Sequence, residues 1–171
     1  MASKCSVLLL FTLISVLSCG ALAGARKENL VFYAHEISQG PNRTTLTIAG
    51  VNGSSSVLSA FGTVSVVDHA VTEGPNATSK ILGKFQGLVA TTDFSRSNFH
   101  LIFSVVFENE KYNGSSLEMH GTIRSLEPHL ELSVSGGTGH FRFVTGYAVV
   151  EILSAVAGFI DYKFNVTLRS Y

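Results

Sequence analysis

The strongest constraint in this sequence is its two-residue period. Across 98–107, Phe99, Leu101, Phe103, Val105 and Phe107 alternate with His100, Ile102, Ser104 and Val106. Across 160–168, Ile160, Tyr162, Phe164, Val166 and Leu168 alternate with Asp161, Lys163, Asn165 and Thr167. Such a period sends neighbouring side chains to opposite sides of a β-strand and does not make an amphipathic helix. Further runs at 29–37, 45–51, 57–67, 80–91, 116–123, 131–134 and 140–152 read as strands. They are separated by turn signals such as Gly40-Pro41-Asn42, Gly74-Pro75 and Asn113-Gly114. Eight or nine short strands at near-regular spacing predict an all-β barrel or sandwich. Gly83, Gly87, Gly121 and Gly146 lie inside strand patterns and favour a closed eight-stranded antiparallel barrel, whose corners need kinks. Apolar residues on both faces near Ile102 and Val106 mean that either another element covers the outer wall or subunits pack there; with no helices to spare, the expectation is a homodimer or homotrimer.

The first residues have a different character. Lys4 precedes a nearly continuous apolar run from Val7 to Leu17, followed by Ala21-Leu22-Ala23. This predicts a secretory signal peptide over residues 1–23, with an apolar run too short to span a bilayer. Residues 24–171 then form one domain, and both cysteines, Cys5 and Cys19, leave with the leader. Five Asn-x-Ser/Thr sequons, at Asn42, Asn52, Asn76, Asn113 and Asn165, use five of the eight asparagines in the chain. That concentration agrees with a secreted, glycosylated protein of the extracellular space or cell wall.

Composition narrows the chemistry. Twelve basic and twelve acidic residues give no net charge, which argues against a nucleic-acid binder. The sequence has no phosphate loop, dinucleotide fingerprint or nucleophile elbow, and its six histidines show no metal-ligand spacing. With no cysteine beyond the leader, a thiolate copper site is excluded, so no cofactor and no membrane role are expected and oxidation falls to another protein. Glu36 shares a strand face with Leu30, Phe32 and Ala34. If that face points inward, a carboxyl group stands among apolar walls as a candidate acid or base; at the rim it would simply be solvated.

Five segments carry a resemblance. Phe32-Tyr33-Ala34-His35-Glu36-Ile37, Phe61-Gly62-Thr63-Val64 with Val67-Asp68, and Gly83-Lys84-Phe85-Gln86-Gly87 come first. Tyr112-Asn113-Gly114-Ser115-Ser116-Leu117 and Gly136-Gly137-Thr138-Gly139-His140-Phe141-Arg142-Phe143 through Gly146-Tyr147 follow. In this order they resemble the motifs of plant dirigent proteins. The resemblance implies a secreted, glycosylated, oligomeric eight-stranded barrel without an oxidative centre. Such proteins hold phenoxy radicals of monolignols, made by a laccase or peroxidase, so that coupling gives one stereoisomer in lignan or phenylpropanoid synthesis. Some relatives act on quinone methides, in the manner of pterocarpan synthases, with acidic side chains promoting cyclisation or loss of water.

Three substitutions depart from the family pattern. Glu36 replaces an aspartate, His69 replaces the second residue of an Asp-Asp pair, and Thr145 replaces an arginine. Glu36 is the candidate acid or base. Asp68, His69, Tyr112, His140, Thr145, Phe99 and Phe103 are candidate substrate contacts, with a turn, rim or plain core role as the alternative for each. A carbohydrate-binding or structural wall protein is the third functional reading, weakened by the absence of tryptophan.

Overall fold

The computed structural model describes residues 26–50, 60–95, 98–124 and 129–170. The expected signal peptide, both cysteines and Asn52 lie outside the described residues. The strands are β1 (Arg26–Ile37), β2 (Thr45–Ala49), β3 (Val64–Thr72), β4 (Ile81–Thr91) and β5 (Asn98–Phe107). They continue as β6 (Ser116–Arg124), β7 (Leu130–Gly137), β8 (Val144–Val156) and β9 (Phe159–Ser170). All pair antiparallel in the order β1-β9-β8-β7-β6-β5-β4-β3-β2, and β1 also pairs with β3. That last pairing closes eight strands into a barrel, the expected architecture.

β1 and β2 occupy successive lengths of one edge of β3. Tyr33, Ala34 and His35 pair with Thr72, Val71 and Ala70, whereas Thr45 to Ala49 pair with Val67 to Val64. Between them the chain leaves the sheet over residues 38–44. The foot of this excursion is pinned by a bond from Thr44 N–H to the Ile37 carbonyl (2.7 Å). The seam is reinforced on its outer side. His35 is buried, with Nδ1 2.7 Å from Asp161 on β9 and Nε2 2.8 Å from the Thr72 hydroxyl on β3. One imidazole thereby ties three strands where the ladder is shortest.

Two of the expected strands are displaced. The run expected at 57–67 is strand only from Val64, and it continues to Thr72. Among its described residues, Phe61 and Gly62 form a turn rather than a kinked strand. The strand expected from residue 140 begins at Val144, because Gly139–Phe141 form a 3-10 turn that drives Phe141 into the core. Parity counted across that turn therefore fails.

Aromatic rings fill one half of the barrel. Phe32 stacks on Phe164 at 5.0 Å and Phe85 on Phe103 at 3.8 Å between ring centroids. Phe107, Tyr112 and Phe141 pack together at the far end. Burial of each large apolar side chain stabilises the fold by about 1.5–3 kcal/mol. Strand curvature around this plug depends on glycine. A Cβ on Gly87 would meet the Ile102 carbonyl oxygen and stand 2.6 Å from Phe103 Cα, whereas one on Gly136 would meet nothing within 4 Å. Gly87→Ala should therefore lower the melting temperature by about 6–12 °C, a cost of roughly 2–3 kcal/mol for overpacking. Gly136→Ala should stay within about 2 °C of wild type, on the scale of ordinary surface changes. Equal thermal shifts for the two variants would contradict this account of the curvature.

Candidate functional site

The other half of the barrel is hollow. A cavity of about 740 Å³ opens beside the excursion at 38–44. Its two sides differ in chemistry. Strands β5 to β8 contribute Phe99, Leu101, Ile123, Leu130, Leu132 and Val150, and β4 adds Val89, an apolar wall suited to an aromatic ring. The strands beside the seam contribute Glu36, Thr45, Thr47, His69 and Tyr162, with Arg43 reaching in from the excursion. Phe85 and Phe164 form the boundary with the aromatic plug.

Glu36 is the centre of the polar wall. It lies on the inward face of β1 with Phe32 and Ala34, and its register partner on β9 is Ile160. Tyr162, two residues further along β9, points to the same face and donates to Glu36 Oε2 (2.7 Å). The Thr45 hydroxyl donates to Oε1 (2.8 Å). Each carboxylate oxygen thus accepts one protein bond and keeps lone-pair capacity toward the cavity. Burial, the Glu36 charge and the Glu36 bond all push the Tyr162 hydroxyl far above the ordinary tyrosine value, so it stays a proton-bearing donor.

His69 stands on the inward face of β3, the strand that pairs with β1 at the seam. Its ring stacks on Phe85 at 5.4 Å, and its Nδ1 lies 2.8 Å from the Thr44 hydroxyl. Burial pushes its pKa down, and the nearby Glu36 and Asp68 charges only partly oppose this. Among the described residues, no group of three or more His, Cys, Asp or Glu side chains could hold a metal ion.

The structure brings together three of the residues singled out in the sequence: Glu36, His69 and Phe99 all line the cavity. The others stand elsewhere. Asp68, the neighbour of His69, points to the outer face, where Lys84 Nζ is 3.7 Å away, so only His69 of the two faces the cavity. Phe103 lies beneath Phe85 in the core. Tyr112 donates to Glu28 (3.2 Å) and His140 faces the same carboxylate (3.5 Å), so both close the opposite end of the barrel. Thr145 is exposed on the outer face of β8 and is not among the residues that line the cavity. Tyr162, Thr45, Thr44 and Arg43 were not singled out. The alternation that includes Tyr162 was visible, but parity alone does not say which tyrosine meets a carboxylate.

The likenesses to known proteins follow from this frame. The sequence profile of the dirigent-like protein family matches residues 27–169. Dirigent protein 11 of Arabidopsis thaliana is 41% identical over 138 residues, covering 81% of this chain and 72% of that protein. Pterocarpan synthase 1 of Glycyrrhiza echinata is 34% identical over 128 residues, covering 74% of this chain and 68% of that protein. A solved pterocarpan synthase dirigent protein superposes with a TM-score of 0.79 at 29% identity, covering 86% of each chain. With the profile spanning nearly all of the barrel and its motifs in order, the chain belongs to the dirigent family.

Proposed function

We propose that this barrel takes a phenolic small molecule into its cavity and fixes the face on which it reacts. In the leading reading it guides coupling of phenoxy radicals made by a separate laccase or peroxidase. The observation that supports this is the two-sided cavity: an apolar wall receives aromatic rings while the polar wall orients their oxygens. Its volume of about 740 Å³ falls within the range of sites for drug-sized ligands. Orientation alone is a sufficient physical cause, since a tenfold preference between competing geometries needs only about 1.4 kcal/mol. An apolar wall of this extent fits a sugar poorly, which disfavours the carbohydrate-binding reading.

The Glu36–Tyr162 contact favours a second reading, a cyclase acting on a quinone methide as in the pterocarpan synthases. There Glu36 would take the proton of an attacking phenol hydroxyl as its oxygen bonds to the methide carbon. The proton then returns to the quinone carbonyl oxygen, restoring a phenol with no net oxidation.

We further propose secretion to the apoplast, as is general for dirigent proteins. Among the described sequons, Asn42, Asn76 and Asn113 are exposed. Asn165 is half-buried and donates to Glu151 (3.2 Å). We also propose self-association through the outer wall. Leu46, Val66, Leu88 and Ile102 form a continuous apolar row across β2, β3, β4 and β5, and three of the four are exposed.

With coniferyl alcohol and a one-electron oxidant, the protein should give a coupled product enriched in one enantiomer on chiral chromatography. Racemic products across several monolignols would remove the radical reading. If the cyclase reading holds, Glu36→Gln should lower oxidant-free turnover of an isoflavanol-type quinone-methide precursor by about 10²-fold or more. Undiminished turnover would remove Glu36 from the chemistry. Replacing Leu88 and Ile102 together by glutamate should shift the protein to monomer in light scattering, and an unchanged mass above that of one chain would place the interface elsewhere.

A further inference from the structure

We propose that His69 presents a fixed neutral Nε2–H to the cavity, and that this donor, paired with the Glu36 acceptor, selects phenolics carrying a second oxygen that can accept a hydrogen bond. The inference rests on the small-molecule reading above for its ligand but on the protein alone for its tautomer.

Thr44 is held by backbone bonds on two sides. Its backbone N–H donates to the Ile37 carbonyl (2.7 Å), and its own carbonyl accepts from Asp68 N–H (2.9 Å). These bonds hold it between the end of β1 and the edge of β3. Its hydroxyl oxygen accepts the Ile37 N–H (2.9 Å), and the same oxygen lies 2.8 Å from His69 Nδ1. The hydroxyl has one proton to give, and among the described residues Nδ1 is the one acceptor it meets; an Nδ1–H would instead fill the second lone pair of the oxygen and leave the hydroxyl proton without a protein acceptor. Nδ1 is then an acceptor, so in the neutral ring the proton must be on Nε2. A hydroxyl clamped by backbone on one side thus sets the tautomer of a buried ring.

The charge state agrees with this geometry. His69 is buried, stacked on Phe85 and pushed below the ordinary histidine value chiefly by desolvation. The charged or titratable groups around it are Glu36 from β1, Tyr162 from β9, Arg43 from the excursion, and Asp68 beside it on the outer face. Glu36 and Asp68 favour the imidazolium, and burial outweighs them. The polar wall therefore offers complementary groups. Glu36 accepts from a ligand hydroxyl, and His69 donates to a second ligand oxygen such as a methoxy, ether or carbonyl oxygen. Thr44 acts as a positioning residue through His69. An aspartate at position 69, as in the family pattern, would be acceptor-only when ionised and would offer no such donor.

The test uses the whole protein labelled with ¹⁵N-histidine. Long-range ¹⁵N–¹H correlation at pH 7 should show one ring, absent in His69→Phe, with Nδ1 unprotonated and Nε2 protonated. Thr44→Val should release that tautomer, and Thr44→Ser should restore it. Coniferyl alcohol should shift the His69 Nε2–H on binding, and His69→Phe, which keeps the stacked ring, should weaken its binding by about five- to tenfold, the usual cost of one hydrogen bond. An Nδ1–H or doubly protonated ring at pH 7 overturns the inference. So does a bound probe that leaves Nε2–H unmoved, with the cavity reading intact. Failure of coniferyl alcohol to bind the wild type, with the Nε2–H tautomer observed, overturns the ligand half together with the cavity reading.

Stability supplies an independent check. The unfolded histidine titrates near pH 6.5, and the folded one lower. Between those values the unfolded chain binds the extra proton, so the His69 contribution is complete above about pH 6.5 and lost as the pH falls toward the folded pKa. In paired melts from pH 7.5 to 5, wild type should lose more stability than His69→Phe, and parallel curves would contradict a buried neutral ring.

Discussion

Three residue pairs close this barrel. The ladder between β1 and β3 runs only over Tyr33, Ala34 and His35, and everything at the open end follows from its stopping there. Had the ladder continued, a strand edge would occupy the space now left to the excursion at 38–44. Because it stops, Glu36 and His69 lie just past the closed ladder, with inward side chains and no further cross-strand pairing between β1 and β3. A short seam is a weak point in a closed sheet. The His35 ring offsets this by bonding Asp161 and Thr72 on the two flanking strands.

The same closure explains why the cavity is chemically divided. Its polar groups all come from the strands and loop that meet at the seam, whereas β4 to β8 present an uninterrupted apolar surface. The aromatic plug below occupies the rest of the interior, so stability and binding use different halves of one barrel. Packing in the plug is dense, and the site above it can be hollow without loss of the fold. The longer side chain of Glu36, compared with an aspartate, also has a physical consequence here. It meets Thr45 on one side and Tyr162 on the other, so the carboxylate is anchored by two donors from different strands.

Much of this was legible in the residues, for definable reasons. Strands such as β5 and β9 alternate strictly, and their inward sets, Phe99 to Phe107 and Tyr162 to Leu168, were readable by parity. Glu36 could be placed on the face of Phe32 and Ala34, but whether that face met solvent or a cavity depended on where the β1–β3 ladder ends. Adjacent Asp68 and His69 looked like a pair in sequence, yet the pleat separates them to opposite faces. The run from residue 140 does not fix the face of Thr145, because a 3-10 turn at residues 139–141 breaks the period of two. Tyr162 meets Glu36 across 126 positions and Thr44 meets His69 across 25, whereas Thr45 reaches Glu36 across only nine, through an excursion whose path no strand period encodes.

A crystal structure with coniferyl alcohol bound would show whether the gap beyond the seam is a binding site with Glu36 as its polar anchor. The aromatic ring is expected against Phe99 and Leu101, with a ligand oxygen within hydrogen-bond distance of the Glu36 carboxylate. A ligand seated on the outer wall, or a barrel mouth filled by the protein's own side chains, would contradict that placement.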